Sequence, residues 1–250
     1  RSTLFPYTTL FRSDSVIVLT YGESTVTIPV KQAGKEVVPD VTYELAALDA
    51  DKYYYYKKAT AVEPGKWYLW ASGEGRAAQG LSGNYGYLKD LVEIGSGETV
   101  SAPAAAAFGV LPVEGGYTIQ QWNGKYVYMS GTYDSFNVAA DVPAEGGHVW
   151  TIEAEAAGTY VIKNVLKEKW VQFDTTYNSF GSYNTQKGFN PVLYELTEVD
   201  NTPKFLGLGA SSLSFQADGG AKDILVQIYG EGTITASDNA DWVTTAVNGE

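Results

Sequence analysis

One stretch of the chain is repeated, and this repeat constrains the fold more than any other feature. The segments from Lys125 to Phe136 and from Lys169 to Phe180 align at a constant offset of 44 residues, and both contain Thr-Tyr-(Asp/Asn)-Ser-Phe. A weaker first copy precedes them: residues 65–69 match the Gly-x-Tyr-x-Ile pattern of the later copies, and residues 83–88 match their turn. Periods of 20–50 residues are typical of repeat architectures, so the chain is expected to build one unit three times.

Each copy contains about four short runs in which apolar and polar residues alternate, separated by Gly, Asn, Asp or Ser. In the second copy these runs are Tyr117–Gln121, Tyr126–Met129, Phe136–Ala139 and Val149–Ala154. Such alternation indicates half-buried strands, and no stretch has a helical period. Three copies of four strands predict an all-β chain with a central β-trefoil, in which three hairpins close one end of a six-stranded barrel. A propeller would need about four copies or more.

The alignment also predicts which side chains form the core. Phe108, Trp150 and Tyr194 fall at one equivalent strand position, and we expect them to form an aromatic layer near the threefold axis. A second layer is expected from Leu88, Phe136 and Phe180.

The segments on either side of the repeat resemble another kind of domain. Residues 205–250 contain Leu213-Ser214-Phe215, a strand over Ile224–Ile228 and an Asp-Trp-Val strand at 241–243; residues 16–34 contain two strands and a Lys-Gln-x-Gly exit. These pieces are similar to the opening and closing halves of BACON domains (Bacteroidetes-associated carbohydrate-binding often N-terminal), which are immunoglobulin-like sandwiches. The resemblance implies partial BACON segments at 14–35 and 205–250 around a trefoil module at 41–198. The two halves either pair as a permuted sandwich or remain loosely packed.

The first residues are set apart from this scheme. Thr3 to Ser13 resemble the conceptual translation of a sequencing-library adapter, so residues 1–13 are interpreted as an artefact and left out of the fold prediction. We therefore expect that any signal sequence is missing from this fragment.

Charge and composition exclude several functions. Lys and Arg number 17 against 29 Asp and Glu, and the net charge of −12 disfavours nucleic acids and anionic lipid surfaces. No apolar run approaches the roughly 18 residues of a membrane span, so membrane insertion is not expected. With no cysteine and His148 as the single histidine, the sequence predicts no metal and no cofactor. Carboxylates are numerous enough that counting does not exclude a glycosidase pair, but a module this small usually serves an enzyme as a binding appendage, so no enzyme activity is expected. The Asp49 and Asp51 pair lacks the glycine and glutamate of a calcium loop.

Aromatic residues are the better functional lead. Alternation directs Val127 and Met129, like Val171 and Phe173, to one face, and the aromatic residues between them to the other. Outward aromatic rings stack on the apolar face of a sugar, while polar turn side chains bind its hydroxyl groups. The candidate ligand-binding residues are Tyr126, Tyr128, Tyr133, Asp134, Trp170, Tyr177 and Asn178. The same residues could instead support the hairpins structurally.

These patterns predict a non-catalytic carbohydrate-binding fragment whose partner is a host or dietary glycan. The BACON resemblance implies an exported, extracellular or cell-surface protein of a gut bacterium. Two alternatives stay open: a structural spacer or adhesin segment without a small ligand, and an accessory module of a surface glycoside hydrolase. The repeated Gln-x-Trp of ricin-type trefoil lectins is absent, because Gln120-Gln121-Trp122 occurs once and in another part of the repeat.

Overall fold

The computed structural model describes the backbone of residues 13–21 and 24–32, and all atoms of residues 42–155 and 158–248. It divides into two compact units, 1–42 and 43–250. In the first, β1 (Ser13–Tyr21) and β2 (Ser24–Gln32) form an antiparallel pair in which Ile17 lies opposite Ile28. The two strands predicted for this segment are therefore confirmed. Residues 1–12 lie outside the described residues, so the adapter interpretation stays a prediction.

The regular secondary structure of the second unit is almost entirely β-strand. Its one described helix is a single 3-10 turn at Ala104–Ala106. Its described strands are β3 (Tyr53–Lys58), β4 (Lys66–Ala71), β5 (Arg76–Ala78), β6 (Tyr85–Gly86), β7 (Leu91–Glu93), β8 (Thr99–Pro103), β9 (Phe108–Val113), β10 (Gly116–Gln121), β11 (Tyr126–Tyr128), β12 (Phe136–Ala139), β13 (Val149–Ala154), β14 (Tyr160–Asn164), β15 (Trp170–Asp174), β16 (Ser179–Tyr183), β17 (Val192–Asp200), β18 (Lys204–Leu208) and β19 (Val226–Tyr229).

Six of these strands close into a barrel. Antiparallel pairing runs from β4 to β9, β10, β13 and β14 in turn, and β17 pairs with β4. The ring closes where Thr159 bridges Val192 and the backbone N–H of Tyr160 donates to the Pro191 carbonyl over 2.9 Å. Three hairpins, β5/β7, β11/β12 and β15/β16, occupy the equivalent place in each repeat. The all-β fold and the central β-trefoil are confirmed.

The main core fills this barrel and the space beneath its hairpins. Leu88, Phe136 and Phe180 are each at most 2% exposed and belong to this core, as the alignment predicts. Trp70 stacks on Phe108 with ring centroids 4.3 Å apart. Val127, Met129, Val171 and Phe173 face inward and are at most 1% exposed, so their predicted orientation is confirmed.

The predicted aromatic layer is wrong at one of its three positions. Tyr68, Tyr117 and Tyr160 hold equivalent positions in the three repeats. Across neighbouring strands of the barrel, Tyr68 is paired with Phe108 and Tyr117 with Trp150, but Tyr160 is paired with Pro191 and not with Tyr194. The third repeat therefore aligns at an offset of 41 in this strand, three residues from the predicted 44. Because side chains alternate along a strand, an odd shift moves Tyr194 to the opposite face.

Tyr194 instead belongs to a second, smaller core beside the barrel. This core lies under β3 and β8, which extend the sheet beyond β17. Its buried members are Tyr54, Tyr56, Leu69, Ala71, Ala77, Val100, Ala102, Ala104, Ala106 and Tyr194.

The first repeat is shifted by one residue relative to the sequence alignment. The alignment equates Trp67 and Leu69 with Tyr117 and Ile119. In the structure Tyr68 and Trp70 contribute to the barrel core, whereas Leu69 packs into the second core. Both faces of β4 are buried, so the local pattern alone could not indicate which face lies inside the barrel.

The C-terminal segment forms one antiparallel pair, β18 with β19. The strand predicted over Ile224–Ile228 corresponds to β19, but the one predicted at residues 241–243 is wrong. Asp241 and Trp242 form a turn, the N–H of Val243 donates to the Ala240 carbonyl over 2.9 Å, and Trp242 is 83% exposed. A strand needs a neighbour for its backbone hydrogen bonds, and none lies beside this stretch in the described part of the chain. Among the described residues, no helix has the length and apolarity to cross a membrane.

Candidate functional site

A pocket of about 420 Å³ lies at the hairpin end of the trefoil, where all three repeats meet. The first and second repeats contribute the loop after β6 and the turn before β12, and the third contributes its hairpin and the loop that follows. The lining residues are Tyr87, Lys89, Asp134, Asp174, Tyr177, Ser179, Tyr183 and Lys187.

The floor of the pocket is formed by buried polar side chains. Asp174, Ser179 and Tyr183 are 6%, 3% and 6% exposed. One carboxylate oxygen of Asp174, Oδ1, accepts the backbone N–H of Thr176 over 2.8 Å, which stabilises the β15–β16 turn. Its other oxygen forms no hydrogen bond within residues 42–155 and 158–248 and is open to the pocket. A buried acceptor of this kind is favourable only when a donor reaches it, so it is suited to a hydroxyl group or to water.

The Tyr183 ring lies close to Gly181 of its own strand. A Cβ at position 181 would lie 2.6 Å from the Tyr183 ring, so Gly181 allows this close approach. Burial raises the pKa of the Tyr183 hydroxyl, and the nearby Asp174 carboxylate raises it further. The phenol therefore keeps its proton at neutral pH and can donate a hydrogen bond into the pocket.

Tyr87 completes the opposite wall. Burial is the main cause that raises the pKa of its hydroxyl, and the nearby Asp134 carboxylate and Tyr177 phenol raise it further. The same groups also act on Tyr183, so carboxylates and phenols from all three repeats converge on one small volume.

Lys169 holds the turn of the second repeat at this pocket. Its ammonium group donates to the carbonyls of Thr132 and Tyr133, over 2.8 and 3.0 Å, and to the Asp134 carboxylate over 2.8 Å. The Lys169 side chain is only 13% exposed. The backbone N–H of Ser182 also donates to the Asp134 carbonyl over 2.8 Å. Asp134 is thus positioned from the third repeat, although it belongs to the second.

Two of the seven predicted site residues, Asp134 and Tyr177, line this pocket. Tyr133 is 75% exposed in the equivalent turn but does not line it. Asn178 has a left-handed backbone with φ of +48° and accepts a hydrogen bond from Arg76.

The three remaining predicted residues lie on the outer sides of β11 and β15. Tyr126, Tyr128 and Trp170 point away from the core as expected, but they are half-buried and are not among the residues that line the pocket. Burial and the neighbouring Glu145 carboxylate raise the pKa of the Tyr128 hydroxyl.

Sequence reasoning missed six of the lining residues. Asp174 and Tyr183 had a detectable signal, because at the 44-residue offset they replace Ser130 and Ala139 of the second repeat. Tyr87 had a similar signal, because it lies in the matched turn of the first copy where the later copies have Ser135 and Ser179, whereas Lys89 lies just beyond that turn and gave none. Ser179 and Lys187 were also missed.

The residues considered for other chemistry lie elsewhere. His148 is half-buried, and its Nδ1 has no hydrogen-bond partner in the described part of the molecule. Asp49 accepts the backbone N–H of Asp51 over 3.1 Å, a local turn contact. No group of three or more metal-ligating side chains occurs among the residues that are described.

Comparison with known proteins returns fold relatives. No family model matches the chain, and no curated protein sequence matches it. Solved structures that it resembles include a BEL β-trefoil (15% identity, TM-score 0.41, 58% of this chain and 99% of that one) and the designed threefold-symmetric protein ThreeFoil (16% identity, TM-score 0.38, 58% and 98%). These likenesses concern the fold alone. A third resemblance, to the GH43 β-1,3-galactosidase BT0265, covers 56% of this chain but only 29% of that protein (16% identity, TM-score 0.41).

Proposed function

We propose that this chain is a non-catalytic carbohydrate-binding protein and that the pocket between the three repeats is its binding site. The observation that carries the proposal is the open carboxylate oxygen of Asp174, buried in a floor that Ser179 and Tyr183 share. A pocket with aromatic walls and a few convergent polar groups is the usual form of a small-ligand site.

A sugar ring matches this chemistry from both sides. Its hydroxyl groups donate to the Asp174 oxygen and accept from the phenols of Tyr87 and Tyr183. Its apolar face of C–H groups stacks on an aromatic ring, and Tyr177 offers an exposed ring at the rim. Binding without catalysis is proposed because Asp134, the second carboxylate of the lining, is engaged by the Lys169 ammonium group, which leaves Asp174 without the free partner that a pair of hydrolytic carboxylates requires.

We further propose that the chain is a piece of an exported surface protein, with partial BACON segments at 14–35 and 205–250 around the trefoil at 41–198. Two antiparallel pairs, β1/β2 and β18/β19, support this proposal. In the second pair Phe205, Leu208 and Ile228 are 63%, 53% and 43% exposed, as expected for a sandwich face without its opposing sheet.

The binding proposal is tested with the full chain on a glycan array, using two matched variants. Tyr133 and Tyr177 occupy the same turn position in two repeats and are each 75% exposed, so Tyr133→Ala and Tyr177→Ala should perturb folding equally little. Only Tyr177 lines the pocket. We expect Tyr177→Ala to weaken retention of the bound glycan about tenfold and Tyr133→Ala to leave it unchanged.

Two results would overturn the proposal. If the parent chain retains no glycan, the spacer function is correct. If both variants bind as the parent does, or lose binding equally, the site lies outside this pocket.

A further inference from the structure

The charges around the pocket differ in sign from those of the whole protein. The chain carries a formal charge of −12. Around the pocket, Lys89 and Lys187 line the opening, while Lys169 neutralises Asp134 through their 2.8 Å ion pair. Asp174 is then the single carboxylate of the lining without an ion-pair partner among the described residues, against two lysines, Lys89 and Lys187.

The two rim lysines have no ion-pair partner within residues 42–155 and 158–248. Both are exposed, whereas Asp174 lies buried at the floor. The pocket is therefore arranged by depth, with an acceptor at its base and two unpaired ammonium groups at its mouth. A ligand that satisfies both levels presents hydroxyl groups to the floor and a negative group to the rim.

The backbone beneath each lysine is held in place. Leu88, which precedes Lys89, exchanges two backbone hydrogen bonds with Phe180, over 3.0 and 2.9 Å. The fully buried Gln172 accepts the backbone N–H groups of Lys187 and Gly188 over 2.8 and 3.0 Å. Both ammonium groups thus extend from anchored positions.

We propose that the pocket selects an acidic saccharide, one that carries a carboxylate or a sulfate group, and that Lys89 and Lys187 bind this anionic group. The inference rests on the proposed function and names its ligand class. The floor of the pocket contacts the hydroxyl groups of the same sugar. Because the lysines lie at the rim, the carboxylate or sulfate group of the ligand is kept away from the negative charge of Asp174.

The test uses the full chain on an array that holds neutral, uronate-bearing, sialylated and sulfated glycans. The variant combines Lys89→Gln with Lys187→Gln. Its control combines Lys57→Gln with Lys125→Gln, which changes the net charge equally but outside the pocket lining. We expect the parent to prefer acidic glycans, the variant to bind them about tenfold more weakly, and the control to match the parent. Raising the salt from ~0.05 to ~0.5 M should reduce the preference in the parent.

The outcomes separate this inference from the proposed function. Retention of neutral glycans alone, or equal binding of acidic and neutral ones, overturns the inference and leaves carbohydrate binding intact. Unchanged acidic binding in the pocket variant, or an equal loss in the control, overturns it as well. Retention of no glycan overturns both. The uronate, sialylated and sulfated arms identify which anionic group is bound.

Discussion

Tyr133 in the second repeat and Tyr177 in the third hold the same position in the same turn, and each is 75% exposed. The hairpins that carry them pair in equivalent registers, with Val127 opposite Val138 and Val171 opposite Ser182. Tyr177 nevertheless lines the pocket and Tyr133 does not.

The difference comes from side chains at matched positions. Where the third repeat has the buried Asp174 and Tyr183, the second has Ser130 and Ala139. The backbone repeat supplies equivalent turns, but a carboxylate and a large ring at two positions convert one turn into a candidate binding site. In this molecule, threefold repetition therefore builds the scaffold and departures from it build the site.

The largest expected effect concerns a barrel position at which the two repeats have very different side chains. Trp150 of the second repeat is fully buried and donates its indole N–H to the Val127 carbonyl over 3.0 Å, whereas the third repeat has Pro191 at the equivalent place. Trp150→Ala should lower the free energy of unfolding by about 3–5 kcal/mol because it leaves a large cavity. Such a loss is a large fraction of the ~5–15 kcal/mol that stabilises a typical folded domain. Thermal unfolding followed by circular dichroism measures it.

Trp242→Ala is the matched control, because Trp242 is 83% exposed. It should change the unfolding free energy by less than about 0.5 kcal/mol. A melting temperature for Trp150→Ala within a few degrees of the parent would contradict the assignment of this ring to the barrel core.

The next effect tests whether the third repeat holds the turn of the second. Lys169→Met removes three hydrogen bonds to residues 132–134 and should lower the unfolding free energy by about 1–3 kcal/mol, since two carbonyls and a carboxylate lose their donor. Lys125 is the equivalent lysine of the second repeat, and its ammonium group makes no hydrogen bond to any described residue. Lys125→Met should therefore have little effect in urea unfolding. Equal losses would show that the turn does not depend on this contact.

The smallest expected effect concerns the ends of two equivalent strands, β13 and β17, and is a change in the pH dependence of the unfolding free energy. Strand β13 ends at Ala154, but β17 continues past the counterpart of that residue to Asp200, whose side chain is 1% exposed. Burial alone would raise the pKa of Asp200. Hydrogen bonds from Lys204, Ser101 and Thr202 outweigh this and lower the pKa of Asp200 below its usual range.

A pKa that is lower in the folded state means that the unfolded chain binds more protons. The contribution of Asp200 is therefore present above the unfolded pKa of about 3.9 and is lost as the pH falls below it. Asp200→Asn should reduce the acid dependence of the unfolding free energy, measured by urea titrations between ~pH 6 and ~pH 3. The exposed Asp141 offers the control, and Asp141→Asn should keep the dependence of the parent. An unchanged slope in Asp200→Asn would contradict this account.

Local patterns predicted most of the second and third repeats. The four strands predicted for the second copy coincide with β10 to β13 to within one residue at each end. Alternation also identified the inward faces of β11 and β15. In β11 the other face is half-buried, whereas in β15 Gln172 and Asp174 on the other face are buried as well. In β4 both sides are buried, and there the alignment was wrong by one residue.

The candidate site was predictable only in part. Asp134 and Tyr177 belong to the repeated turn and were visible as a pattern, but Lys89 and Lys187 come from loops that the pattern does not cover. Trp170 and Tyr126 were correctly predicted to point outward, yet an outward direction does not specify a common surface.

Taken by itself, the sequence determined the number of repeats, the strands of the later copies and the inward faces of their hairpins. These properties depend on neighbours a few residues apart, where turn residues and alternation act directly. Only the tertiary structure decided that Tyr194 leaves the barrel core and that Asp134 and Asp174, from two different repeats, line one pocket. Both outcomes depend on the register in which β17 closes the barrel and on how the three hairpins pack together. That register is selected by burial on all sides of the closed sheet, a collective property that no single segment contains.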